Sequence, residues 1–365
     1  MKLDRRQFVI GSAAFAGSLM SGCDSMSGLC GHRVRRLMDE CISGRLYSGL
    51  CCASNRGFMR CCGNRTFTDE VQPVDENTLF DLASVGKTQT AALCALLYAD
   101  GRLDPDAPFT KYLPEHVLAK EDCRITVRDL ATHTGGFDNS KPYMLPNVAE
   151  HFERLFAKRP VKPRGESFCY ACSNFVYLGM IVENITGMGL DTAAKKLLWG
   201  PLGMTRTTWN TCVGDGNVCE YPKSTYDGPL RKFGEHNDLC AHYAGRPMGN
   251  GSCFSTGPDM LKFVTDFIER RTFKKEYYEL QLNESVRVDG HRRSFGWDMT
   301  SEKSTFSDWV KTFFSDRAIC HTGWSGSAIA VDPECGYAGV VLGNRLASKE
   351  ATMGPRMHML DLMRW

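Results

Sequence analysis

The chain has 365 residues, a formal net charge of +2, and 42% hydrophobic against 24% charged residues. That balance suits a globular protein with one large core or two closely packed ones, and it gives no reason to expect a nucleic-acid partner. No run of about eighteen apolar residues is present to span a membrane.

The first 22 residues read as an export signal. Arg5-Arg6 is a twin arginine, and the apolar segment running on to Met20 has the length and flank of a signal, not of a spanning helix. Leu19-Met20-Ser21-Gly22-Cys23 is similar to the lipobox of bacterial lipoproteins, which makes Cys23 the expected lipidation site. Acyl chains there would tether an exported, extracytoplasmic (periplasmic-type) domain to a membrane surface. Residues 23–32 read as a polar tether and residues 33–365 as the folded domain.

Within that domain, Val34, Leu37, Met38 and Ile42 form a helical stripe between Arg33 and Arg45. Leu50 to Ser54 and Phe58 to Cys62 flank Asn55-Arg56-Gly57, a hairpin signal. The apolar run after Lys87 is a buried helix stopped by Gly101. Shorter helices follow at 125–133, 176–185, 191–198 and 260–268. Strands return at 317–319, 328–332 and 337–344, and a closing helix starts at Pro355. Strands thus lie at both ends of the chain, about 33–80 and 290–365, with helices filling about 81–289. The economical fold is α+β: one antiparallel sheet built from both chain ends, helices on its faces, a mainly helical insert, and a cleft between the two parts.

Seventeen cysteines are many for this length. In an exported protein they can pair, and the adjacent pairs Cys51-Cys52 and Cys61-Cys62 read equally well as small buried hydrophobes. Cys169-Tyr170-Ala171-Cys172 is a lone C-x-x-C, without the second pair of a structural zinc site. No metal or cofactor is expected.

Chemistry concentrates at Phe80-Asp81-Leu82-Ala83-Ser84-Val85-Gly86-Lys87. Three residues is nearly one helical turn, so Ser84 and Lys87 share a face, and an amine that can shed its proton makes a serine hydroxyl a competent nucleophile. Ser84 at a helix N-terminus would also have free N–H groups near the charge that develops. Tyr170, ahead of the 176–185 helix, can move protons if lysine charge lies beside it. His321-Thr322-Gly323-Trp324 opens the last hairpin, where small residues let a ligand lie against a strand edge.

These segments, in order, resemble the serine β-lactamase-related family of class C β-lactamases, DD-peptidases and related esterases. Gly101-Arg102-Leu103-Asp104, Ile125 to Gly136, Pro201-Leu202-Gly203-Met204, Gly251 to Thr256 and Phe295-Gly296-Trp297 extend the likeness over about 34–345. The resemblance implies the β-lactamase/transpeptidase-like fold and assigns roles. Ser84 would be acylated. Lys87 would be its base or would tune it, and Tyr170 would relay protons. The backbone N–H groups of Ser84 and Trp324 would form the oxyanion hole. Two positions depart from the pattern. Cys172 stands at the asparagine of Y-x-N, and His321 replaces the lysine of K-T-G with the H-T-G form. A thiol is a weak donor and acceptor, and the histidine removes a permanent charge that would hold a substrate carboxylate.

The expectation is a serine hydrolase acting through an acyl-enzyme on an ester or a D-amino-acid peptide of cell-wall type. The alternatives are a weak β-lactamase or penicillin-binding DD-carboxypeptidase, and a binding protein that keeps the fold without catalysis.

Overall fold

The computed structural model describes residues 23–68, 70–114, 124–141, 145–220, 233–304 and 314–365, with side chains described from Cys30 onward. The export signal expected over 1–22 lies outside the described residues.

In chain order the elements are α1 (Cys23–Ser43), β1 (Tyr47–Ser54), β2 (Met59–Gly63), β3 (Phe80–Asp81), α2 (Gly86–Ala99), α3 (Val127–Thr132), α4 (Val148–Ala157), α5 (Cys172–Thr186) and α6 (Leu190–Ala194). They continue with α7 (Leu239–Ala244), β4 (Phe254–Ser255), α8 (Gly257–Glu269), α9 (Lys275–Leu282), β5 (Val286–Val288), β6 (His291–Ser294), β7 (Trp297–Met299), β8 (Ile319–Thr322), β9 (Ala328–Asp332), β10 (Tyr337–Arg345) and α10 (Lys349–Leu362).

The main sheet has eight strands in the order β2-β1-β10-β9-β8-β7-β6-β5, every pair antiparallel. Its two N-terminal strands join the six C-terminal ones through β1 and β10, as the chain-end reading expected. Alternation along β1 splits the core. Cys51 and Ala53 face the larger cluster with α2, α5 and α8, while Leu50 and Cys52 face α1 and α10. The sheet is therefore covered on both sides, and β1 is buried along its whole length.

Three boundaries differ from the sequence reading. The segment expected as a tether over 23–32 is helical, because α1 begins at Cys23. Its later turns bury Val34, Leu37, Met38 and Cys41 against the sheet, and a fixed helix propagates at the cost of one residue per hydrogen bond gained. The last helix starts at Lys349, capped by the Ser348 hydroxyl, and carries Pro355 inside it. Helix α5 starts at Cys172, earlier than its apolar run suggests. The Cys172 N–H is satisfied by Asn139 Oδ1 at 3.1 Å, a cap supplied from another loop.

Candidate active site

The small β3–β4 ribbon delivers the chain to Ser84. Leu82 N donates to Cys253 O at 2.8 Å, and Ala83 N donates to Asp81 Oδ1 at 2.7 Å. Ala83 adopts a left-handed backbone, φ 46°, which is strained for a residue with a Cβ. Ser84 then occupies a single 3₁₀ turn, Ala83–Val85, and α2 proper begins at Gly86. The serine thus sits one turn ahead of the helix. The tighter turn keeps Lys87 on the same side, with its Nζ donating to Ser84 Oγ at 3.1 Å.

Lys87 is fully buried and makes two further contacts: Asn250 O at 2.5 Å and Cys172 Sγ at 3.8 Å. Burial disfavours its ammonium form. The ionisable Cys172 and Tyr170 beside it outweigh burial and hold its pKa above the usual lysine value. Tyr170 Oη donates to Ser84 Oγ at 2.9 Å, and Lys87 Nζ lies 5.1 Å from the centre of the Tyr170 ring. One serine oxygen therefore has a phenol and an ammonium within hydrogen-bond reach.

The 125–136 motif holds Tyr170 in place. Thr126 and Asp129 form a reciprocal capping box that starts α3, and the helix ends at His133 in the left-handed conformation. His133 O accepts from Cys169 N at 2.8 Å, and His133 Nδ1 accepts from Ala171 N at 3.2 Å. Asn174 Nδ2 lies 3.1 Å from the same nitrogen. The His133 ring packs 4.4 Å from the Tyr170 ring. Burial, then Arg293, Lys87 and His321, keep its pKa well below the ordinary histidine value. Asn174 is thus occupied at His133, and Cys172 takes the position that faces Lys87.

The opposite wall is the end of β8. His321 is buried, with Nδ1 3.0 Å from Thr322 O. Burial, then Arg293 and Lys87, lower its pKa well below the ordinary value, so the ring is neutral at neutral pH. Gly323 answers to a steric demand: a Cβ there would come within 2.4 Å of Leu82 O. Only glycine lets this strand close on the Ser84 turn. The turn that follows is braced from α10, where buried Arg356 Nη1 donates to Gly323 O at 2.7 Å and Ser327 O at 3.2 Å. Trp324 lies under Arg345, whose guanidinium carbon is 4.0 Å from a Trp324 ring centre.

Between the walls is a cavity of about 570 Å³ lined by Ser84, Tyr170, Cys172, His321, Thr322, Gly323 and Trp324. All eight residues singled out around the serine converge here, with Lys87 directly behind it. Cys23 stands apart, at the start of α1. Sequence reading missed Asn139, Asn250 and Arg293. Arg293 on β6 is buried against Asp298, with Nη1 to Oδ1 at 3.3 Å, and its Nε and Nη2 have no hydrogen-bond partner. It lines the cavity, as do Lys141, Lys303 and Lys349. No motif announces such a charge, which reaches the site only through the β6–β7–β8 register. Among the described residues, no group of three or more His, Cys, Asp or Glu is placed to hold a metal.

The chain resembles known proteins at three levels. The Beta-lactamase family model matches residues 63–361. An Escherichia coli (strain K12) protein named "Putative D-alanyl-D-alanine carboxypeptidase" is 26% identical, over 80% of this chain and 75% of its own. A Salmonella schwarzengrund (strain CVM19633) protein of the same name is 27% identical, over 74% and 70%. Among solved structures, one titled a class C beta-lactamase superposes with a TM-score of 0.76 at 18% identity, covering 93% of this chain and 98% of that one. EstCE1, titled a hydrolase with promiscuous acyltransferase activity, gives 0.76 at 18% identity, covering 93% and 99%. The octameric penicillin-binding protein homologue from Pyrococcus abyssi gives 0.72 at 21%, covering 91% and 77%. The family model spans most of the sequence and the fold matches throughout: this chain belongs to the Beta-lactamase family.

Proposed function

We propose that the protein is a serine hydrolase that forms an acyl-enzyme on Ser84 and acts on an ester or a D-amino-acid peptide of cell-wall type. The observation that carries this reading is the single Ser84 oxygen held 2.9 Å from Tyr170 Oη and 3.1 Å from Lys87 Nζ on the wall of an open cleft. Once the Tyr170 phenol has released its own proton, Ser84 Oγ attacks the carbonyl and gives its proton to the Tyr170 oxygen. Lys87, held charged beside the Tyr170 ring, stabilises the phenolate that serves as this base. The oxyanion lies between the N–H groups of Ser84 and Trp324, donors fixed before reaction. Tyr170 returns the proton to the leaving group, and water then attacks the acyl carbon by the same route in reverse.

Relatives named as carboxypeptidases favour a D-peptide. A cavity wall carrying Arg293, Lys303 and Lys349 suits a substrate with an anionic end. Cys172 in place of an amide, and a neutral His321, argue against fast β-lactam turnover. The test is a fluorophosphonate label and three substrates: a short-chain nitrophenyl ester, nitrocefin and a D-Ala-D-Ala peptide. Ester or peptide turnover that disappears in Ser84→Ala supports the reading. No labelling and no turnover of any substrate by the wild type would leave a binding protein.

Export and lipidation belong to the same proposal. Their support is the Arg5-Arg6 signal and the lipobox ending at Cys23. A lipid on Cys23 would join directly to α1, with no intervening tether. Labelled palmitate should enter the wild type and not Cys23→Ala; equal labelling of both would overturn this.

A further inference from the structure

The outer end of the sheet carries thiols that acyl transfer does not use. Register pairs Cys51 on β1 directly with Cys61 on β2, whereas Cys52 stands opposite Arg60 and Cys62 opposite Leu50. The phase of the ladder can be read from its ends. Ser54 N donates to Phe58 O at 2.9 Å, and Asn64 N donates to Ser48 O at 2.6 Å. Hydrogen-bonded pairs alternate with non-hydrogen-bonded ones along an antiparallel ladder. Counting inward by twos from either end makes Cys51–Cys61 a non-hydrogen-bonded pair. Such pairs have Cα atoms roughly 4.5 Å apart and the closest side chains, inside the span of about 4.4–6.8 Å that a disulfide bridges.

The side chains agree with the ladder. A hydrogen bond with Cys61, followed by burial, holds the Cys51 thiol well above its ordinary pKa. Cys51 is fully buried and pinned at the start of α8, where a Cβ on Gly257 would come within 2.3 Å of its sulfur. Cys61 is only partly buried, on the same face of the ladder. One thiol is therefore partly open to solvent while its partner is fixed beside it. All described cysteines are free thiols in this structure.

We propose that Cys51 and Cys61 are an oxidation site that closes to a cross-strand disulfide, fastening the edge strand β2 to β1. The co-reactant is a small-molecule or protein disulfide. Cys61, as thiolate, attacks one of its sulfurs; that S–S bond breaks and one thiolate leaves. Cys51 then loses its proton and attacks the Cys61 sulfur, expelling the second thiolate. Two protein thiols are oxidised, one external disulfide is reduced to two thiols, and the two protons given up by the protein end on them. Neither cysteine lines the Ser84 cavity, so turnover should not depend on the bond.

The test uses the full chain incubated with oxidised glutathione, alkylated in acid and mapped by fragmentation mass spectrometry. The expected result is a Cys51–Cys61 cross-link, two hydrogens lighter than the free thiols. The thermal midpoint should rise by several degrees, reversibly with dithiothreitol. Cys61→Ser, at a partly buried position, should lose both effects, and Cys62→Ser should retain both. Two alkylated thiols after oxidation, a cross-link mapped to Cys52 and Cys62, or a midpoint gain that survives Cys61→Ser would each overturn the proposal.

Discussion

Gly323→Ala is the sharpest perturbation of the cleft, because it adds one methyl group where the two walls meet. The new Cβ would lie 2.4 Å from Leu82 O, and ordinary contact begins near 3.4 Å. One wall must therefore retreat by roughly 0.6–1 Å. The strand end cannot yield alone, because Gly323 N bonds Ser327 O at 2.8 Å and Gly323 O bonds Arg356 at 2.7 Å. Leu82, two residues before Ser84, is likewise tied to Cys253. The displacement passes into the Ser84 turn or into the turn carrying Trp324, and so separates the two proposed oxyanion donors. Overpacking of this kind costs about 1–3 kcal/mol of stability. A misplacement near 1 Å costs about a hundredfold in rate. Urea unfolding and the rate of fluorophosphonate labelling measure the two effects. Gly216→Ala is the control: it sits exposed, and beyond its chain neighbours no heavy atom lies within 4 Å of its Cβ position. It should change stability by less than about 0.5 kcal/mol and leave labelling unchanged. Wild-type labelling and stability in Gly323→Ala would refute the claim that this approach sets the site.

Further expectations follow from the same geometry. Cys172→Asn places an amide beside Lys87, and nitrocefin turnover relative to ester turnover should rise about tenfold or more, the worth of one added hydrogen bond; an unchanged ratio would show that Cys172 does not set the preference. Thr126→Ala removes one half of the α3 capping box and should cost about 1 kcal/mol in urea unfolding. His321 has a folded-state pKa below its unfolded value, so acid favours the unfolded chain, which takes up the proton first. Its share of stability is full above about pH 6.5 and falls by about 1.4 kcal/mol per pH unit on acidification, until the folded pKa is reached. His321→Gln should flatten the stability profile below pH 6.5 by that slope. Asp361, raised to about 6 by burial, has the opposite sign and is common to both proteins.

The architecture was legible because it rests on long-range order that the chain displays: strands at both ends, helices between, and turn residues at the joins. The Ser84–Lys87 end of the site was legible too, since the two residues are neighbours on one turn and their spacing carries the geometry. Tyr170 and Cys172 could be placed only by counting register from the α5 run, and the contact of Cys172 with Lys87 agrees with that count. Arg293 and Asn250 had no such signal. Arg293 reaches the cleft through a strand order, and Asn250 contributes only a backbone carbonyl, which any residue could supply. Helices α4, α7 and α9 were missed as well. Two of them are short, and α9 buries Tyr277, Tyr278, Leu280 and Leu282, which blurs the one-faced pattern.

Intact-protein mass spectrometry after exposure to a fluorophosphonate, followed by peptide mapping, tests the central claim most directly. The account predicts one adduct, on Ser84, formed by the wild type, absent from Ser84→Ala and strongly slowed in Tyr170→Phe. An adduct on another residue, or one that persists in Ser84→Ala, would contradict it.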